Sequence, residues 1–162
     1  MSKFMKWASW PIALFITIIF VDSLRYKFTG HPTPEHIFTT LRDWSGIGLF
    51  YPAGPWVIGL AELAASLLVL VLPVVFTLKS SPRNAARSQF LGALIALGTM
   101  SGAIVFHLFT PLGIATPTEW SADGQTILAE GNLLFIMACF VWLGALLLLI
   151  WRGLQLKGGT RF

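Results

Sequence analysis

The chain has 162 residues, 56% of them hydrophobic and only 11% charged, with a formal net charge of +4. This length fits one domain, and so apolar a composition exceeds what a soluble core of this size needs, so it selects a bilayer-spanning protein. The eleven Lys and Arg residues form no dense patch but sit at the ends of apolar runs, which excludes a nucleic-acid surface, and the single cysteine, Cys139, excludes a disulfide framework, a CxxC pair or a cysteine zinc site within one chain.

In chain order, Lys3 and Lys6 precede an uncharged stretch over 7–21. A signal peptide would end in a small-x-small cleavage site. Here the apolar core runs into Phe20-Val21-Asp22-Ser23-Leu24-Arg25, which predicts a retained helix over 7–28. Asp22 and Arg25 are three apart on that helix and share a face, so they can pair. The junction over 21–34, VDSLRYKFTGHPTP, gathers Asp22, Arg25 and Lys27 before Gly30, His31 and two prolines.

Thr33-Pro34-Glu35 reads as a helix start: a capping hydroxyl, proline at the first helical position and an acid near the positive dipole end. Ile37, Phe38, Leu41 and Trp44 follow at one-face spacing, which predicts a short amphipathic helix over 34–44 lying on the membrane surface. Residues 46–55 re-enter the bilayer, with Tyr51 and Trp56 as interfacial anchors. Helix two is expected over 55–78, with Glu62 near its start and a kink at Pro73 near its end. Residues 79–89 read as a basic loop holding Lys79, Arg83 and Arg87.

Helix three is expected over 90–110, where Gly92, Ala93, Ala96, Gly98, Gly102 and Ala103 allow close packing in lipid. Pro111, Gly113 and Pro117 break it, and the loop to 126 carries the acids Glu119 and Asp123 and no base. Helix four is expected over 126–151, with Glu130 and Asn132 in its opening turns and Arg152, Lys157 and Arg161 behind it. The fold class is therefore an all-α membrane protein. It is a single four-transmembrane-helix bundle over 1–162, with an interfacial helix between helices 1 and 2.

The Lys/Arg distribution sets the expected topology. Eight bases lie at the N-terminus, in the 79–89 loop and in the tail, against Arg25, Lys27 and Arg42 on the other side. Both termini should be cytoplasmic. Asp22 and Arg25, Glu62, His107 and Glu130 then reach the same outer half of the bundle from four helices, and no charge is expected in the inner half. A lone carboxylate in hydrocarbon costs several kcal/mol, so Glu62 should face inward and pair with Arg25, Lys27 or His107, or be protonated.

Two readings of this cluster stand. Arg25, Lys27, Glu62, His107, Asp22 and Glu130 line a pocket for a polar ligand head or proton transfer. Alternatively, one interhelical salt bridge ties the bundle while the others are solvated at headgroup level. His31 and His36 are five apart across Pro32 and Pro34, which is not a helical metal pair, so no metal site is assigned. A bis-histidine haem would need His107 with a loop histidine, and nothing in the spacing argues for it. Nucleophile elbows, phosphate loops, glycine fingerprints and HExxH are absent.

The segment LRYKFTGHP at the end of helix one, then an amphipathic segment and GLAELAASLLVL in helix two, resembles the DoxX-like family of small four-helix membrane proteins. The family's arginine, lysine, glycine and glutamate match as Arg25, Lys27, Gly30 and Glu62. The resemblance implies a bacterial inner-membrane protein associated with redox processes. Some members are linked to thiosulfate:quinone oxidation, some to oxidative-stress complexes, and relatives serve as assembly factors. The expectation is thus a redox-associated subunit, the lipid bilayer its first partner, with a quinone-like or other small amphiphilic ligand in the outer half. The alternative is a scaffold or assembly factor binding a protein partner, for instance in a redox complex. A solute carrier is a third reading, although no repeat supports it. Small residues on helix three could also pack between copies as a homo-oligomer.

Overall fold

A computed structural model of the chain describes residues 3–158, with side-chain surroundings from Trp7 onward. The Lys3 and Lys6 side chains and Arg161, used above for topology, lie outside the described residues. Four helices are long and apolar enough to cross a membrane: Trp7–Phe28, Ala53–Leu78, Pro82–Phe109 and Leu133–Lys157.

The elements run α1 (Lys3–Phe28), α2 (Pro32–Ser45), α3 (Ala53–Ser66), a π-helical turn (Leu67–Val71), α4 (Leu72–Leu78), α5 (Pro82–Phe109), β1 (Thr116–Trp120), β2 (Ile127–Gly131) and α6 (Leu133–Lys157). The spans form a ring in which α1 packs on α3 and α6, and α5 packs on α6 and the α3–α4 rod. The chain passes up and down four times, so one end carries the β-hairpin and α2, and the other, the terminal end, carries the start of α1 and the end of α6. Alanines at 13, 65, 93, 96 and 145 are all fully buried. Their small side chains let the backbones approach, and Ile16, Phe20, Val69, Val141 and Leu148 fill the axis. Most large apolar residues on the outer faces, such as Leu60, Leu94, Phe140 and Ile150, are exposed, as a lipid-facing surface requires.

Several boundaries differ from expectation, α6 for one running on to Lys157 rather than ending at 151, and three starts change what the residues do. First, α2 begins at Pro32 rather than residue 34. His31 is its N-cap, its Nδ1 accepting the Thr33 amide at 3.2 Å, and Pro32 takes the first turn. The Thr33 hydroxyl, freed from capping, donates to the Pro117 carbonyl (3.2 Å) and accepts from Trp120 Nε1 (2.8 Å). Second, α5 begins at Pro82, so Arg83 and Arg87 lie on helix rather than in a loop, and Ala85, Ala86, Ser88 and Gln89 are buried. Third, α6 begins at Leu133. The residues expected to open helix four form β2, paired antiparallel with β1, with Thr116 opposite Gly131 and Pro117 opposite Glu130.

The hairpin has a local cause. Gly124 sits at φ +71°, the left-handed conformation that glycine adopts without a Cβ clash. Its amide donates to the Ser121 carbonyl at 2.8 Å, and the Ser121 amide donates to the Thr126 carbonyl at 2.9 Å. Hairpin and α2 pack together through Thr33, and His36 meets Trp120 edge-on with ring centroids 6.0 Å apart. The pair forms a cap over one end of the bundle. Phe38 of α2 fastens it there: its ring lies so close to Gly54 that an added Cβ would fall 2.5 Å from Cδ1.

Candidate functional site: a buried ion pair beneath the cap

Lys27, in the last turn of α1, reaches Glu62 of α3, with Nζ 2.9 Å from both Oε1 and Oε2. The two side chains are 12% and 3% exposed. Glu62 lies nine residues into its span, about 13 Å from the cap-end terminus at ~1.5 Å per residue. Lys27 also donates to the Ser23 hydroxyl one turn back on α1. Its three N–H groups are thereby all engaged, and the unused lone pairs at the site belong largely to Glu62.

The approach of the two helices depends on Gly59, one turn before Glu62. The Phe28 ring lies against its backbone, where a Cβ would fall 2.5 Å from Cε1. Phe28 in turn stacks on Trp56, centroids 4.9 Å apart and planes 16° from parallel. An aromatic pair thus sits on the cap side of the ion pair, between α1 and α3.

The other residues singled out in the sequence go elsewhere. Arg25 is exposed, pairing with Asp22 at 3.1 Å and lying over the Tyr26 ring at 4.9 Å. The groove beside this pair, about 450 Å³ and lined by Thr17, Ile18, Val21, Asp22 and Arg25, is open on the flank of α1. The Thr17 hydroxyl is buried without a hydrogen-bond partner. His107 is 7% exposed, and its Nδ1 stands 2.6 Å from the Gly113 carbonyl. A carbonyl only accepts, so Nδ1 carries the proton and the ring fastens the end of α5 to the chain beyond Pro111. Glu130 is exposed on β2, not on a helix. Of the six candidates the structure therefore brings Lys27 and Glu62 together and leaves Asp22, Arg25, His107 and Glu130 outside their contacts. Ser23 was missed, although its place four residues before Lys27 on a helix was the available signal.

A second polar cluster, wholly unexpected, lies at the opposite end. Arg152 of α6 is 6% exposed, which corrects the expectation that no charge enters that half of the bundle. Its Nε donates to Gln89 Oε1, Nη1 to Gln155 Oε1 and Nη2 to Ser9 Oγ, each at 2.6 Å. Gln89 Nε2 donates to the Val69 carbonyl at 2.9 Å, and Ser88 Oγ to the Leu68 carbonyl at 2.8 Å.

The cause is Pro73. In the π turn the Leu72 amide bonds back to the Leu67 carbonyl, so the next amide due for Leu68 or Val69 is that of residue 73. Proline has none. Two carbonyls are orphaned inside the bundle, and α5 supplies the two donors they need. A proline in an apolar helix was visible in the sequence; that it would require Ser88 and Gln89 opposite was not.

Among the described residues no group of three or more His, Cys, Asp or Glu could hold a metal ion. Comparison with family models, with curated proteins and with solved structures finds no match to this chain.

Proposed function

We propose that this multi-pass membrane protein is a DoxX-like, redox-associated subunit of the bacterial inner membrane that binds a quinone-like amphiphile beside Lys27 and Glu62. One observation carries the reading: a carboxylate 2% exposed within a membrane span, at a depth where unpaired charge is costly. Intramembrane acids of this kind mark ligand or proton pathways. Because Lys27 has no N–H left to offer, the site presents acceptors, which suits the hydroxyl of a reduced, quinol-like head more than a quinone carbonyl. The Phe28–Trp56 stack supplies an aromatic surface nearby. In this reading Arg25 and Asp22 stay at headgroup level and both termini are cytoplasmic, a topology that the excess of Lys and Arg toward that side supports.

Protein purified in mild detergent should carry stoichiometric quinone when extracted molecules are identified by mass spectrometry. The Glu62→Gln variant should carry at least tenfold less. Recovery of bulk phospholipid alone would overturn the reading. In that case the cap favours the alternative, a scaffold that binds a partner through α2 and the hairpin. Affinity capture from solubilised membranes should then yield one stoichiometric protein, and none would count against the scaffold.

A further inference from the structure

The Arg152 cluster plays no part in that reading and points to a ligand of its own. Arg152 is a cation more than nine-tenths buried whose described partners are all neutral: a hydroxyl and two amide oxygens. A guanidinium has five N–H donors. Three are used, which leaves one N–H on each terminal nitrogen for a further acceptor. All seven acids of the chain lie toward the cap: Asp22, Glu35, Asp43, Glu62, Glu119, Asp123 and Glu130. At the terminal end the described ionisable groups are Lys79, Arg83, Arg87, Arg152 and Lys157, every one a base. Among the described residues no carboxylate neutralises Arg152.

A buried charge is costly unless paired, and neutral hydrogen bonds return only part of that cost. The depth is informative. Arg152 stands five residues before the end of α6, about 8 Å along the axis at ~1.5 Å per residue. At 25 residues, about 37 Å at ~1.5 Å per residue, α6 is longer than the ~30 Å hydrocarbon layer, so a side chain this near its end is within reach of a lipid phosphate. An oxyanion there would receive two N–H groups from neighbouring nitrogens of one planar guanidinium, the arrangement that arginine uses for phosphate. The surrounding exposed bases would draw such an anion in.

We propose that the terminal end of the bundle binds a phosphate oxyanion at Arg152, as the headgroup of an anionic lipid or as free phosphate. The full chain in neutral detergent can be titrated separately with phosphatidylglycerol, phosphatidylcholine and inorganic phosphate, following thermal unfolding and bound adducts by native mass spectrometry. Phosphatidylglycerol should bind saturably and raise the unfolding temperature, and Arg152→Gln should weaken that binding at least tenfold. An Arg83→Gln/Arg87→Gln double variant, which removes only exposed charge, should retain it. Competition by millimolar inorganic phosphate identifies free phosphate as a ligand of the same site. Binding of the lipid without such competition identifies the headgroup.

Should Arg152→Gln fail to fold, Arg152→Lys keeps the charge but loses the paired donors, and its binding should also fall at least tenfold. Absence of saturable binding by either phosphate source overturns the proposal. So does unchanged binding in the Arg152 variants, and so does binding lost only in the double variant, which would mean diffuse surface attraction.

Discussion

Two acid–base pairs on α1 show how surroundings decide what a charge is worth. The Asp22 and Arg25 side chains are 58% and 66% exposed, and their contact is a surface pair of the kind worth at most about 1 kcal/mol. Replacing Asp22 by Ala should therefore leave thermal unfolding nearly unchanged. Lys27→Met should behave differently, because it strands a buried carboxylate; the expected loss is about 3–5 kcal/mol. Adding Glu62→Leu to Lys27→Met should recover most of that stability, a coupling that detergent-solubilised unfolding measures directly. If the single and double variants unfold alike, the pair is not the buried contact described here.

Asp123 supplies a residue-scale pH dependence in the hairpin turn. Its carboxylate accepts from the Ser121 hydroxyl and from the Gln125 amide at 3.1 Å, and these bonds hold it below the ordinary 3.8. A depressed carboxylate stabilises the fold above its unfolded value and loses that contribution as pH falls through the folded value. The turn should accordingly hold its order at neutral pH and loosen as Asp123 is protonated, where the Thr126 amide, which donates to Ser121 Oγ at 2.9 Å, should lose protection relative to its intrinsic exchange rate.

At the scale of elements, the α3–α4 rod and its partner α5 are designed around each other. The Val69 carbonyl lost its intrahelical donor to Pro73 and gained Gln89 instead. Gln89→Ala should cost about 1–3 kcal/mol for the Val69 carbonyl left unpaired, and more in total because it also removes the acceptor of Arg152 Nε. In a Pro73→Ala background, where an amide is available again, the same substitution should cost clearly less. Gly92 shows the closeness of the approach, since a Cβ there would meet Leu68 Cβ and Val69 Cγ1 at 2.7 Å and the Val69 backbone nitrogen at 2.9 Å. Gly92→Ala should push α5 off the π turn and destabilise the bundle. Gly98→Ala, with open space around its Cβ, should be neutral or gain up to about 1 kcal/mol in helix propensity.

These elements also mark what the sequence could disclose. The four spans were legible because lipid contact demands long apolar runs, and so was the need of Glu62 for a partner, because a buried acid demands a base; the choice of Lys27 over Arg25 or His107 was not. The hairpin was partly legible: Asp123-Gly124 is a turn signal between Thr116–Trp120 and Ile127–Gly131, but the apolar Ile127-Leu128-Ala129 reads equally well as the opening of a helix. The start of α5 was signalled by Ser81-Pro82 and obscured by its bases, which suggested a solvated loop. Arg152 was not legible at all. A cation at the end of an apolar helix ordinarily faces water, and only the three-dimensional placement of Gln89 and Ser9 draws it inside.

At the scale of the whole molecule, charge and shape divide along the same axis. One end carries the acids, the cap of α2 and hairpin, and the Lys27–Glu62 pair beneath it. The other carries, among the described residues, bases only and the Arg152 cluster. An insertion machinery that retains Lys and Arg in the cytoplasm would fix this polarity, leaving the cap outside. The four-span ring makes that assignment a single binary choice, because every connection is tied to one end or the other. In a Cys139→Ala background, Ala122→Cys places a thiol in the exposed hairpin turn and Asn84→Cys places one in the exposed first turn of α5. A membrane-impermeant maleimide applied from the outer side of the sealed membrane should label the first and spare the second until that membrane is permeabilised. The reverse pattern would invert the protein in the membrane, moving the Lys27–Glu62 site to the cytoplasmic half. Equal labelling of both before permeabilisation would break the four-span arrangement itself, since the ring cannot put the two positions on one side.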